Sequence, residues 1–120
     1  DLPIGTQIVS AWVSLDAATR ENGCMHVIPG SHREGPVVHF QVRDWQICDD
    51  QVRTNQTIAV KTDPGDVLLW DGLLHHGTPP NRSTNGRRAL QLHYWPQSVE
   101  KTPKEERMAI FGSEGKDVTC

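Results

Sequence analysis

A chain of 120 residues is large enough for one domain with a modest core. Its residues are 36% apolar and 22% charged, and the net charge of −3 includes no basic block, which argues against nucleic acid and anionic membrane as partners. No apolar run approaches the roughly 20 residues of a membrane span, and DLPIGTQ lacks the basic start and apolar core of a signal peptide, so no targeting signal points away from the cytoplasm.

Residues 7–15, QIVSAWVSL, alternate as a strand. Val9, Ala11, Val13 and Leu15 share one face; Ser10, Trp12 and Ser14 share the other, which is polar apart from one large aromatic. DAATRENG (16–23) supplies a turn ending in Asn-Gly, and the short strand CMHVI stops at Pro29-Gly30. The stretch 31–56 is mixed, with strand-like VVHF followed by a polar loop. TIAVK (57–61) is a short strand, Asp63-Pro64-Gly65-Asp66 is a turn, and VLLW (67–70) has the composition of a buried strand. RALQLHYWP (88–96) alternates again, and residues 97–120 form a peripheral tail with a short helix near 103–110. Short strands between Gly/Pro/Asn turns predict an all-β sandwich or barrel, and nothing marks a second domain.

The chain has no initiator Met and reads as a segment of a longer protein. Its cysteines, Cys24, Cys48 and Cys120, include no CxxC pair, so a structural zinc site is not expected; reduced thiols of a cytosolic protein are.

Six histidines are present: His26, His32, His39, His75, His76 and His93. A lone strand histidine is more often a hydrogen-bonded structural residue than a ligand. His75-His76 differs because it stands where an apolar strand gives way to a Gly-containing loop, a place suited to a rigidly held imidazole ligand. The pair is also consistent with polar residues at a plain strand end. Since neighbouring strand residues point to opposite faces, at most one of the two reaches a shared metal. Arg87 and Arg88 open the last strand on opposite faces. A guanidinium there suits a carboxylate better than lysine would, or simply flanks the strand in solvent, and alternation does not say which face looks inward.

Three segments together resemble the phytanoyl-CoA dioxygenase family of non-haem iron, 2-oxoglutarate-dependent oxygenases: SAWVSLDAATRENGCMHVIPGSH (10–32), PGDVLLWDGLLHHG (64–77) and NRSTNGRRALQLHYWP (81–96). The resemblance covers roughly residues 5–96 and implies a double-stranded β-helix, a jelly-roll relative of the cupins, here as a partial barrel. It places the distal iron-ligand histidine on His76 and the 2-oxoglutarate-binding arginine on Arg87, with Thr78 and Trp12 lining the same pocket. Asn81, Ser83 and the Pro29–His32 turn take structural roles, and His32 is not expected to be a ligand.

The family's iron is held by two histidines and a carboxylate, the first two ligands arriving as His-x-Asp before the strand that carries Trp12. This sequence contains no His-x-Asp, and Asp1 stands at the register of the loop after that motif, so it is not assigned as the ligand. The expectation is therefore the C-terminal part of a catalytic domain, inactive alone, with one of three iron ligands and most of the 2-oxoglutarate cradle. The implied reaction uses Fe(II), O2 and 2-oxoglutarate, with ascorbate as a candidate reductant. It hydroxylates a small-molecule substrate while 2-oxoglutarate is decarboxylated to succinate. Rival readings are a non-catalytic, cupin-like module that binds a small anion, and a metal-dependent isomerase or halogenase-type relative. All turn on what precedes Trp12.

Overall fold

A computed structural model of the chain describes residues 2–37, 39–41, 45–47 and 51–111. Along them run strands β1 (Val9–Ser14), β2 (Met25–Val27), β3 (His39–Gln41), β4 (Trp45–Ile47), β5 (Ile58–Val60), β6 (Val67–Asp71), β7 (His76–Gly77) and β8 (Ala89–Tyr94), then helix α1 (Lys104–Phe111). All strand pairs are antiparallel. They form one sheet of order β6-β1-β8, a second of order β5-β2-β7, and a separate β3-β4 pair. After β1 the chain crosses to the second sheet for β2 and β5, returns for β6, crosses for β7 and returns for β8. Such repeated crossing is the winding of a double-stranded β-helix, so the fold is of the all-β class expected from the turn spacing and is the jelly roll that the family resemblance implies.

Register decides which faces meet. Ser10 lies opposite Trp70 and His93, Trp12 opposite Leu68 and Gln91, and Ser14 opposite Ala89. Cross-strand partners share a face, so these residues form one continuous surface. Trp70 on that surface is buried with Met25 and Val27 of β2, and Trp12, Leu68, Val60 and Leu74 pack around them. The Ser/Trp/Ser side of β1 is thus the inner face. Its serines are buried but satisfied: Ser14 Oγ lies 2.7 Å from Thr62 Oγ1, and Ser10 Oγ lies 2.9 Å from His93 Nδ1. The opposite face of the sheet leaves Val9, Val67, Leu69, Leu90, Leu92 and Tyr94 exposed.

Several expectations need adjustment. VLLW is not buried throughout, because β6 alternates: Leu68 and Trp70 turn inward while Val67 and Leu69 face out. The supposed polar loop after VVHF contains β4, and the segment also holds 3-10 turns at Ser31–Glu34 and Thr54–Gln56. Val38 within VVHF lies outside the described residues, as do Asp1, Cys48, Cys120 and the tail beyond Phe111. Cys24 is buried with a free thiol. The Asp63–Asp66 turn forms as expected, with Gly65 at φ +94° and Asp66 Oδ2 accepting the Asp63 amide at 2.8 Å. Helix α1 begins just after Pro103, a residue that tolerates a helix start because its missing N–H would be unpaired there anyway. No helix of the described residues is long and apolar enough to cross a membrane.

Candidate functional site

A short turn carries the chain from β6 into the paired histidines. Asp71 closes it, its Oδ1 accepting the Leu73 amide at 2.8 Å and its carbonyl the Leu74 amide at 2.9 Å. His75 then docks on the Ile28–Ser31 turn: its amide donates to Ser31 Oγ at 2.8 Å and its carbonyl accepts from the Ile28 amide at 3.0 Å. It is buried, and its Nε2 has no hydrogen-bond partner among the described residues.

His76 takes the other direction. It pairs with Val27 in the β2–β7 ladder, so it stands on the inner side with Met25 and Val27. There its ring leans on Trp70, centroids 5.5 Å apart and planes tilted by 53°. His76 Nδ1 lies 2.8 Å from the Leu74 carbonyl, which can only accept. Nδ1 therefore carries a proton, which in the neutral ring leaves the lone pair on Nε2, and the residue is exposed. A metal-binding histidine is commonly oriented in this manner, by a carbonyl behind and a ring beside it.

Arg87 precedes β8 with the parity of Ala89, Gln91 and His93, and its guanidinium carbon sits 5.3 Å from the centroid of the Trp12 ring. Trp12 is thus a platform that holds the cation by its π face. Nε and Nη1 of Arg87 are buried and have no hydrogen-bond partner among the described residues. Buried guanidinium N–H groups left unpaired are costly, and an oxygen anion is the ligand that satisfies them with the right planar geometry.

Arg88 is committed elsewhere. Its amide and Nε donate to Asp16 Oδ2 at 2.8 and 2.9 Å, and its Nη2 donates to Asp16 Oδ1 at 2.9 Å. The hydrogen bonds from Arg88 pull the Asp16 carboxyl down to about 2, so the pair is fully charged near neutrality. The two adjacent arginines are therefore distinct: one closes an ion pair, and the other keeps unpaired donors on the inner face.

Thr78 follows β7 and is exposed. Between it and Arg87 the chain folds on its own side chains. Asn81 Oδ1 accepts the Ser83 amide and hydroxyl at 2.8 and 2.9 Å, and Asn81 Nδ2 donates to the Asn85 carbonyl at 2.7 Å. A cleft of about 750 Å³ lies outside this loop, lined by Asp16, Thr19, Asn22, Asn85 and Arg88 among others. Of its charged lining residues, Asp16 and Arg88 are paired with each other.

The donor set is incomplete for a metal. Among the described residues no three His, Cys, Asp or Glu side chains come together, so His76 offers a single imidazole where a facial triad needs three ligands. These residues fit a carboxylate at Arg87, but they do not by themselves fit iron. Sequence reasoning missed Trp70 as the wall beside His76, although its shared parity with Leu68 was a usable signal. It also missed the Asp16–Arg88 pair, whose partners are 72 positions apart with no local pattern joining them.

Residues 3–89 match the family model for phytanoyl-CoA dioxygenase (PhyH). The phytanoyl-CoA dioxygenase domain-containing protein 1 homolog of Dictyostelium discoideum is 33% identical over 101 residues, covering 77% of this chain and 35% of that protein. The peroxisomal phytanoyl-CoA dioxygenase of Bos taurus is 30% identical over 95 residues, 72% of this chain and 28% of that one. Among solved structures, EvdO2 from Micromonospora carbonacea var. aurantiaca complexed with 2-oxoglutarate superposes with a TM-score of 0.74 at 26% identity, covering 94% of this chain and 47% of that one. The chain spans about a third of the length of the curated relatives it matches.

Proposed function

Because the chain belongs to the phytanoyl-CoA dioxygenase family, we propose that it forms the C-terminal part of the catalytic domain of an Fe(II)- and 2-oxoglutarate-dependent dioxygenase. The reaction consumes O2, hydroxylates a small organic substrate and converts 2-oxoglutarate to succinate. Residues 1–120 are then a single incomplete domain with 97–120 as a peripheral tail. Ascorbate serves as reductant, and the compartment is the cytoplasm, although the bovine relative is named peroxisomal.

One observation carries this reading: the buried, unpartnered Nε and Nη1 of Arg87, held over Trp12 on the inner face. Arg87 pairs with the far carboxylate of 2-oxoglutarate, Trp12 supplies the flat wall, and Thr78 adds a hydroxyl. His76 offers Nε2 as one iron ligand, its ring fixed by Leu74 and Trp70. Iron would supply the oxygen chemistry when bound, and the other two ligands would come from chain outside these residues.

In the full-length protein, His76→Ala should abolish Fe(II)-dependent succinate formation; undiminished succinate would sink the ligand assignment. Arg87→Ala should raise the 2-oxoglutarate concentration needed for half-maximal turnover far more than Arg88→Ala does. Equal effects would put the register off by one.

The lack of a three-donor cluster among the described residues favours one second reading, a cupin-like module that binds a small anion without oxygen chemistry. A His-x-Asp within about 20 residues before Trp12 in the full-length sequence decides for the oxygenase, and its absence for the module.

A further inference from the structure

The loop that separates His76 from Arg87 is gripped by the turn that follows β1. At the far end of this turn, Gly23 comes so close that an added Cβ would lie 2.5 Å from the Pro79 carbonyl oxygen, on a backbone already at φ +82°. In the middle, the Arg82 amide donates to the Glu21 carbonyl at 2.9 Å. Where the loop reaches Arg87, the buried Asn22 donates through Nδ2 to the Ala17 carbonyl at 2.8 Å and the Gly86 carbonyl at 3.3 Å. Its Oδ1 meanwhile accepts the Thr19 amide at 2.7 Å. Asp16 then takes three hydrogen bonds from Arg88, and the Arg88 carbonyl accepts from the Leu15 and Asp16 amides at 2.9 and 3.3 Å.

As a surface ion pair, Arg88–Asp16 adds little to stability, because the Arg88 side chain is largely exposed to water. Its consequence is geometric. Successive residues entering a strand point to opposite faces, so fixing Arg88 by both backbone and side chain fixes the direction of Arg87. A carboxylate anchor loses most of its value if it is displaced by even an ångström.

We propose that Asp16 and Asn22 are positioning residues: with the turn they belong to, they hold Gly86–Arg88 in the register that sets the Arg87 guanidinium over Trp12, ready for the co-substrate carboxylate. This rests on Arg87 being that anchor. Neither residue touches the ligand.

Asn22→Ala removes several buried hydrogen bonds and endangers folding, so the variant of choice is Asp16→Asn, which keeps the shape and removes the charge. In the full-length protein, 2-oxoglutarate binding is measured by calorimetry alongside steady-state turnover. Asp16→Asn should raise both Kd and KM for 2-oxoglutarate about five- to tenfold, with kcat at saturation kept within about twofold. Asp16→Glu, which restores the carboxylate, should recover most of the affinity, and Arg87→Ala should weaken binding by about a hundredfold or more. If Arg87→Ala has its large effect while Asp16→Asn leaves Kd and KM unchanged, or lowers kcat alone, the positioning role is wrong and the anchor stands. If Arg87→Ala leaves 2-oxoglutarate binding intact, the anchor reading fails and the positioning role falls with it.

Discussion

The two faces of the β6-β1-β8 sheet both carry apolar residues and differ in what covers them. The inner face carries Leu68 and Trp70 with Ser10, Trp12, Ser14, Gln91 and His93, and the outer face carries Val9, Val67, Leu69, Leu90, Leu92 and Tyr94. Leu69 is 63% exposed, whereas its neighbour Trp70 is 6% exposed. Apolar content alone therefore does not locate the interior here; the packing of the second sheet does. The polar groups on the inner face also differ among themselves. Ser10 and Ser14 are satisfied by His93 and Thr62, whereas Nε and Nη1 of Arg87 are not satisfied by any described residue. Trp70 Nε1 and His75 Nε2 are likewise buried and unpaired among the described residues, but Arg87 alone combines unpaired donors with a charged planar fork, the geometry that an oxygen anion satisfies.

The sharpest way to break the contrast is on β6, where adjacent residues belong to opposite faces. Trp70→Ala should cost about 3–5 kcal/mol in urea unfolding, since it empties the centre of the Met25–Val27 cluster. It should also loosen His76, whose ring leans on that indole. A loss below about 1 kcal/mol would mean that the inner face is not the core.

Much of the fold was legible in the sequence because alternation and turn chemistry are local. The strand at β1, the Asp63–Asp66 turn, the strands at β5 and β8 and the short helix after Pro103 all follow from spacings within ten residues. Choosing a face was not legible, because the serines and leucines of one strand are assigned to inside or outside only by a partner sheet distant in sequence. The site shows the same division. His75 and His76 were separable in principle by strand alternation, and the structure buries one against Ser31 and exposes the other. Arg87 and Arg88 were not separable from composition; the difference between them is Asp16, whose carboxylate claims Arg88. Strand β4 went unread because three residues within a polar stretch carry too short a pattern.

The smallest effect is expected one position before the largest. Leu69→Lys replaces an exposed leucine on β6, which ends its sheet among the described residues, where a lysine can extend into water and also disfavours pairing with another chain. In the Asp1–Cys120 chain the stability change should stay within about 0.5 kcal/mol by urea unfolding. Solubility should rise, because the substitution interrupts an apolar surface shared with Val67, Leu90, Leu92 and Tyr94. A loss of more than about 2 kcal/mol would instead mean that this face is covered in solution, at a cost expected only for a buried leucine. Measuring the variant at two protein concentrations tells self-association from a simple packing defect, since only a covered interface gives a loss that depends on concentration.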